Sequence, residues 1–461
     1  MSRPRPATVQ PYRQASRQGQ DPLTLNQRVL GRLLLGLQLA ALGPMALGLG
    51  GCQAASTVAP AAPAGSFTAG ELLVAVEGDD AEAQLAAAGV PPKAQLSQDL
   101  WLVEVPAGTE AETARRLEGL PQVRFAEANR MVRTQMVGSF RPALPEAFRT
   151  AATVTDPKYR PPVGSSLPGQ WGLDMIKAPV AWDTTMGSVT VAVIDTGIDS
   201  SHEDLAGNLA MNLAANFLAS DKPPTDDFGH GTHVAGIIGA IANNGLGIAG
   251  VAPKVRLMPI RVLGADGGTT AALIQGIDHA VAKGAKVINL SLGSSQASRA
   301  EQEAINRAVS KGVTVVAAAG NEALAGNPLN YPAALSGVIS VGALDLLPVN
   351  GQSILGKAEY SCFNPYVTIA APGSDILSTV PTALGTYAYA SGTSMAAPMV
   401  SGVAALILSR HPDWKPAQVL QALREAASPN GLTRVAGDSA SGYDANFFGA
   451  GMIDASLAVA K

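Results

Sequence analysis

Residues 191–197 read Val191-Ala192-Val193-Ile194-Asp195-Thr196-Gly197, an apolar and mostly β-branched run that ends directly in an aspartate. A continuous apolar run of this length is typical of a strand that is buried on both faces of a parallel sheet. Two later segments also set polar residues among small ones. They read Gly229-His230-Gly231-Thr232-His233-Val234-Ala235-Gly236 and Gly392-Thr393-Ser394-Met395-Ala396-Ala397-Pro398. The chain thus presents an aspartate, a histidine and a serine in that order.

The rest of the C-terminal half alternates apolar runs with amphipathic ones. The predicted strands are 189–194, 255–262, 287–292, 313–318 and 338–341, and the predicted helices are 273–283, 299–311 and 395–409. This alternation indicates an α/β fold in which helices cover both faces of a parallel sheet. Ligands of such sheets gather at the carboxyl ends of the strands, where Asp195 stands.

The order of Asp195, His230 and Ser394 suggests nucleophilic catalysis. A serine hydroxyl is a weak nucleophile unless a histidine takes its proton and a carboxylate orients that histidine. Two alternatives use the same segments. His230 and His233 could pair as metal ligands, but Gly231 occupies the place of the glutamate that this pattern requires. The serine segment also approximates a lipase elbow, which requires its acid and then its histidine after the serine, where only His411 follows.

These segments, together with Ala317-Ala318-Ala319-Gly320-Asn321, resemble the subtilisin family of serine endopeptidases (subtilases) over roughly residues 168–461. The resemblance implies a subtilisin-like sheet sandwiched by helices. It makes Asp195 the orienting acid, His230 the base and Ser394 the nucleophile. The Asn321 side chain and the Ser394 backbone N–H would form the oxyanion hole, although an asparagine after glycine could also cap a turn.

The resemblance also implies a peptide-binding cleft lined by small residues, which let a backbone lie close. The implied positions are Ser291, Leu292 and Gly293 on one edge, Gly264 and Gly267 on the other, and Ala319 and Gly320 around the side chain before the cut. None of these residues is charged. We therefore expect broad specificity with an apolar preference.

A structural calcium site is implied by two further matches, Asp204 and Asn244. Backbone carbonyls of Ala242, Leu246 and Ile248 could complete the set of hard oxygen ligands that Ca²⁺ prefers. The alternative is a plain Asn-Gly turn that binds no metal.

Residues 1–52 have the form of an export signal, with arginines before an apolar run and small residues before Cys52. The ending resembles a lipoprotein cleavage box, which would place a lipid on Cys52. The alternative is an ordinary secretory signal with a chance cysteine. Residues 53–66, rich in Ala and Pro, are expected to be a flexible linker.

Residues 67–134 alternate predicted strands and helices within a short stretch, which suits a small α+β ferredoxin-like unit. Its position before a subtilase body resembles the family's inhibitory propeptide, and the alternative is a generic accessory domain. Residues 135–167 follow as a proline-containing connector in which processing would occur. Residues 168–461 are the predicted catalytic domain.

The composition argues against some classes of binding partner. The 461 residues are 47% hydrophobic and 15% charged, with a net charge of −4, which gives no general attraction to nucleic acid or anionic membranes. We expect a secreted, monomeric endopeptidase that acts on proteins and peptides, is made as a precursor inhibited by its own propeptide, and meets a membrane only through a lipid on Cys52. The alternative function is a catalytically silent, subtilase-like binding module at the cell surface.

Overall fold

The computed structural model describes residues 67–142, 154–159, 169–349, 352–433, 435–436, 439–440 and 442–461. The predicted signal segment 1–52 with Cys52, and the predicted linker 53–66, lie outside the described residues. So do two parts of the predicted connector, residues 143–153 and 160–168.

The N-terminal unit folds as a four-stranded antiparallel sheet with two helices. Its elements are β1 (Phe67–Val76), α1 (Ala81–Ala87), β2 (Pro92–Gln95), β3 (Leu100–Glu104), α2 (Glu110–Glu118) and β4 (Val123–Thr134). The strand order β4-β1-β3-β2 confirms the predicted ferredoxin-like unit. Sequence reasoning missed β2, which is short and polar, and it predicted only residues 123–126 of β4.

The remaining elements build the larger body. They are β5 (Val137–Pro142), α3 (Trp171–Met175), α4 (Ala178–Ala181), β6 (Thr190–Asp195), β7 (Ala215–Asn216), α5 (His230–Gly239), β8 (Arg256–Arg261), β9 (Gly268–Thr269), α6 (Thr270–Ala282), β10 (Val287–Leu290), β11 (Leu292–Gly293), α7 (Arg299–Ser310), β12 (Thr314–Ala318), β13 (Val338–Val349), β14 (Gln352–Lys357), β15 (Val367–Pro372), β16 (Ile376–Thr379), β17 (Tyr387–Ser391), α8 (Thr393–Arg410), α9 (Pro416–Ala426), β18 (Val435–Ala436), β19 (Ser439–Ala440), α10 (Ala445–Phe448) and α11 (Ala455–Val459). The main sheet runs β14-β13-β12-β10-β6-β8-β7, with β15 also paired to β13. All its pairs are parallel except β13–β14.

Alternate residues of β6 show that this sheet is covered on both faces. Val191 and Val193 belong to the core built with α5 and α8. Ala192 and Ile194 belong to a second core, built with α6 and α7. All four side chains are buried completely, which explains why the sequence here is continuously apolar rather than alternating. The predicted doubly covered parallel sheet is therefore confirmed.

Helix α8 is the central helix of the first core. Among the described residues it is the one helix whose length and composition would also suit a membrane span, but 89% of it is buried inside the protein. Its first turn carries Ser394, so the helix places that residue at the end of a rigid, packed element.

The two faces of the sheet in the N-terminal unit pack against different partners. Leu72 and Val74 face the unit's own helices. Leu73, Leu102 and Phe125 instead join the core that contains α6 and α7. The unit is thus docked on the body through apolar side chains.

The described residues of the connector pack against the body. β5 pairs antiparallel with β17, in a three-stranded sheet completed by β16. Val154, Asp156 and Tyr159 are buried, and Val154 and Tyr159 belong to the core that contains α5 and α8.

Candidate active site

Asp195 and His230 are brought into direct contact. Asp195 is the last residue of β6, and His230 is the first residue of α5, so a strand end meets a helix start. Asp195 Oδ1 lies 2.7 Å from His230 Nδ1, and both side chains are completely buried. His230 Nε2 has no hydrogen-bond partner among the described residues. That nitrogen is the atom a base would turn toward a nucleophile.

The buried carboxylate of Asp226, which is not among the predicted site residues, holds this corner together. Asp226 accepts hydrogen bonds from the backbone N–H groups of Gly229 and Thr232, and from the hydroxyls of Thr196 and Thr232. Burial raises the pKa of Asp226, against these hydrogen bonds. The network fixes the start of α5 relative to the end of β6. A local signal for it existed, since an aspartate just before a helix is a common cap.

The second histidine of the segment faces elsewhere. His233 Nε2 lies 3.1 Å from the carbonyl oxygen of Ala388, and the side chain is completely buried. Burial, aided by the neighbouring His230, lowers the pKa of His233 to about 3. A neutral ring in this position packs against β17 and takes no part in the contact between Asp195 and His230.

Ser394 stands at the N-terminal turn of α8, directly after Gly392 and Thr393. Its backbone N–H donates to the carbonyl oxygen of Gln135 at 2.9 Å. Its hydroxyl donates to the carbonyl oxygen of Ser291 at 3.0 Å rather than to His230. The N–H groups at a helix start favour an oxygen that gains negative charge.

Asn321 lies beside the same helix start. Its Oδ1 accepts hydrogen bonds of 2.9 Å from both the backbone N–H and the hydroxyl of Thr393. These two contacts fix the amide orientation and leave Nδ2 as the free donor. That Nδ2 is buried and has no partner among the described residues. An unpaired buried donor is costly, and a developing oxyanion would satisfy it.

The two predicted cleft edges lie on either side of β4. Gly293 pairs with Arg133 and Leu292 with Thr134 on one edge. On the other edge the pairing residues are Gly268 and Thr269, just past the predicted Gly264 and Gly267. A Cβ on Gly267 would lie 2.5 Å from the carbonyl oxygen of Val132, so only glycine allows this approach.

Ala319 and Gly320 follow β12. Gly320 lies close to Asn330 and Cys362, which sequence reasoning did not place there. A Cβ on Gly320 would lie 2.9 Å from Asn330 Nδ2 and 3.0 Å from Cys362 Sγ. Glu322 Oε2 lies 3.7 Å from that sulfur and accepts the Asn321 N–H at 2.9 Å. Cys362 is a free, buried thiol, and burial raises its pKa to about 12.

The predicted calcium residues surround a pair of buried carboxylates. Asp204 accepts hydrogen bonds from Asn244 Nδ2 and the Ile248 N–H, each at 2.8 Å. Asp156, which sequence reasoning missed, accepts from the backbone N–H groups of Asn243 and Asn244. Both carboxylates are completely buried. Burial, with a smaller contribution from Asp156, raises the pKa of Asp204 to about 6.

Two buried carboxylates close to each other are unfavourable unless a cation balances their charge. The residues around this loop therefore fit a bound cation. Among the described residues, no group of three or more His, Cys, Asp or Glu side chains is arranged to hold a metal. A cation held by Asp204, Asp156 and Asn244 would therefore need backbone oxygens as well. The predicted carbonyl donors Ala242, Leu246 and Ile248 belong to the same loop.

The chain is similar to known proteins and protein families. The model of the subtilase family matches residues 187–451, and that of the fervidolysin N-terminal prodomain matches residues 53–129. Thermitase from Thermoactinomyces vulgaris is 46% identical over 244 residues, which are 52% of this chain and 82% of thermitase. Subtilisin BL from Lederbergia lenta is 39% identical over 291 residues, which are 62% of this chain and 97% of that protein.

The crystal structure of fervidolysin from Fervidobacterium pennivorans, described as a keratinolytic enzyme related to subtilisin, superposes with a TM-score of 0.69 at 28% identity. The match covers 86% of this chain but only 61% of fervidolysin. The family match spans more than half of the chain and includes the contact between Asp195 and His230, the start of α8 and the sheet that carries them. The chain therefore belongs to the subtilase family and carries a fervidolysin-type prodomain in front of its subtilase domain.

Proposed function

We propose that this protein is an exported serine endopeptidase that cuts peptide bonds through an acyl-enzyme. The observation that carries the proposal is the direct contact of two buried groups, Asp195 and His230, at the start of α5, a helix that packs against the helix that bears Ser394. Attack requires the Ser394 hydroxyl to leave the Ser291 carbonyl and transfer its proton to His230 Nε2. Asp195 then stabilises the imidazolium.

The negative charge that develops on the substrate oxygen has two donors in this proposal. One is the Ser394 backbone N–H, which already donates to a carbonyl oxygen. The other is Asn321 Nδ2, a buried donor that no described group satisfies. After the amine product leaves with a proton from His230, water takes the same path and releases the acid. Removing a donor of this kind costs about 10²–10³ in turnover.

Labelling with a fluorophosphonate tests the nucleophile. We expect the wild-type protein to be labelled and Ser394→Ala not to be. The matched control is Ser409→Ala on the same helix, whose hydroxyl bonds only backbone within and beside α8. That variant should label like the wild type. Absence of labelling in the matured wild-type protein would overturn the proposal and favour a silent binding module.

For the domains we propose residues 67–134 as an inhibitory propeptide, residues 135–167 as the connector and residues 168–461 as the catalytic domain. Residues 1–52 would direct export, with a lipid on Cys52 that anchors the precursor. Cleavage after the propeptide would separate this anchor from a monomeric, released enzyme. Mature catalytic domain that stays in the membrane fraction would contradict this arrangement.

We also propose that Ca²⁺ binds at the loop formed by Asp204, Asn244 and the carbonyls of Ala242, Leu246 and Ile248, together with Asp156. The role of Ca²⁺ there would be structural, because the cation would neutralise the charge of the two buried carboxylates. Ca²⁺ should raise the melting temperature of the wild type and not of Asp156→Asn. Equal shifts in both proteins would argue against this site.

A further inference from the structure

The chain passes through its own candidate active site. β4 enters the cleft between the two edges, with Met131 and Val132 paired to β9 and Arg133 and Thr134 paired to β11. The segment therefore lies where a substrate backbone is expected, as the middle strand of a three-stranded arrangement.

The next residue, Gln135, is held by both of its backbone polar groups. Its N–H donates to the carbonyl oxygen of Ser291 at 3.1 Å, and its carbonyl oxygen accepts from the Ser394 N–H at 2.9 Å. The residue is 4% exposed. A carbonyl that accepts the N–H of the nucleophilic residue is the carbonyl in position for attack.

The bond after Gln135 lies directly on the start of α8. A Cβ on Gly392 would come within 2.5 Å of the Gln135 oxygen and 2.9 Å of the Met136 Cα. Beyond it the chain continues as β5, where Val137 pairs with Ser391 and Arg141 with Tyr389. Strand pairing on both sides thus centres one peptide bond over Ser394.

The register of this segment is fixed by alternating burial. Val132 is 1% exposed and lies in the core with α6, whereas Arg133 reaches the Asp266 carbonyl at the surface. A shift by one residue would expose the valine and bury the arginine, because neighbouring side chains point to opposite faces. The same bond therefore remains over Ser394.

We propose that the bond between Gln135 and Met136 is the one that Ser394 cuts during maturation. The proposal rests on the proposed function. The Ser394 Oγ bonds to the Gln135 carbonyl carbon as His230 takes the hydroxyl proton. The bond to the Met136 nitrogen then breaks, and His230 returns the proton to that amine. Water hydrolyses the ester, giving a propeptide that ends in the Gln135 carboxylate and an enzyme that begins at Met136.

Intact-mass analysis of the first products from the full-length chain tests this assignment. We expect one propeptide fragment that ends at Gln135 and a complementary fragment that begins at Met136. Met136→Pro should slow the cut at least about tenfold, because proline changes the leaving nitrogen and its local geometry. The matched control Met136→Leu should be cut at the wild-type rate.

Earliest fragments that end elsewhere would overturn the assignment, as would normal cutting of Met136→Pro or of Ser394→Ala at this bond. Fluorophosphonate labelling of the same samples separates two failures. Labelled enzyme with a different terminus means that the bond is wrongly assigned while the proposed function stands. Neither labelling nor cutting means that the proposed function fails.

Discussion

β4 and β5 flank the same peptide bond, yet the protein holds them in different ways. β4 pairs on both sides and buries Val132 in the core. Among the described strands, β5 pairs only with β17. Its Val137 is 38% exposed, and the ion pair between Arg141 and Asp375 lies at the surface. Exposed ion pairs contribute about 0–1 kcal/mol. The difference implies that, once the bond is cut, β5 leaves the cleft while the propeptide stays and inhibits.

Polar contacts strengthen the β4 side further. The Glu127 carboxylate accepts hydrogen bonds from Ser298 Oγ and from the backbone N–H groups of Arg299 and Ala300, at the start of α7. Asn129 Oδ1 accepts the Ala271 N–H at the start of α6. The strand thus caps two helices of the body through groups that those helices leave unpaired.

The largest expected effect comes from placing a charge where β4 is buried. Val132→Asp should weaken inhibition by the cut propeptide about 100-fold or more, because an unpaired buried carboxylate costs several kcal/mol. The measurement is the inhibition constant of the cut propeptide against the matured enzyme. Val132→Ile is the control and should stay within about tenfold. An unchanged constant for the aspartate variant would mean that β4 does not carry the binding.

A smaller effect should distinguish the contribution of β4 to inhibition from that of β5. Glu127→Ala removes a charged cap and should weaken inhibition about tenfold or more, since hydrogen bonds to a charged group contribute about 1.5–3 kcal/mol. Arg141→Ala removes two contacts of β5, the surface ion pair with Asp375 and the cation–π contact with the Tyr389 ring, and should change inhibition less than about fivefold. Equal losses in the two variants would remove the distinction between β4 and β5.

A further expected effect is a pH dependence at the same helix start. Glu301 is 1% exposed, and burial, with the nearby Glu127 carboxylate, raises its pKa to about 8, while Arg130 acts in the opposite direction. While the propeptide is bound, Glu301 therefore keeps its proton up to about pH 8. After the propeptide has dissociated, we expect Glu301 to lose that proton at the ordinary glutamate pKa. Inhibition should be strongest below that ordinary value and weaken as the pH rises through about 8.

The inhibition constant, measured between pH 5 and pH 9, checks this expectation. The slope should be absent in Glu301→Gln, which keeps the shape of the side chain without the ionisation. A wild-type slope of zero, or the same slope in both proteins, would show that Glu301 does not set the dependence.

Local motifs made the sheet and the contact between Asp195 and His230 predictable, because a strand end and a helix start each carry their polar residue within a short segment. β4 was predicted only to residue 126, and its last residues, Met131 to Thr134, become a strand through pairing with β9 and β11, far along the chain. Asp156 was missed for the same reason. It lies in a proline-containing connector, and its role appears only where it meets the loop at Asn243.

Hydrogen exchange before and after the cut tests the central comparison most directly. In Ser394→Ala, which keeps the bond intact, both 123–134 and 137–142 should be protected, the second less than the first. In the cut wild-type complex, residues 123–134 should stay protected while 137–142 exchange freely. Loss of protection in 123–134, or retained protection in 137–142, would contradict the account.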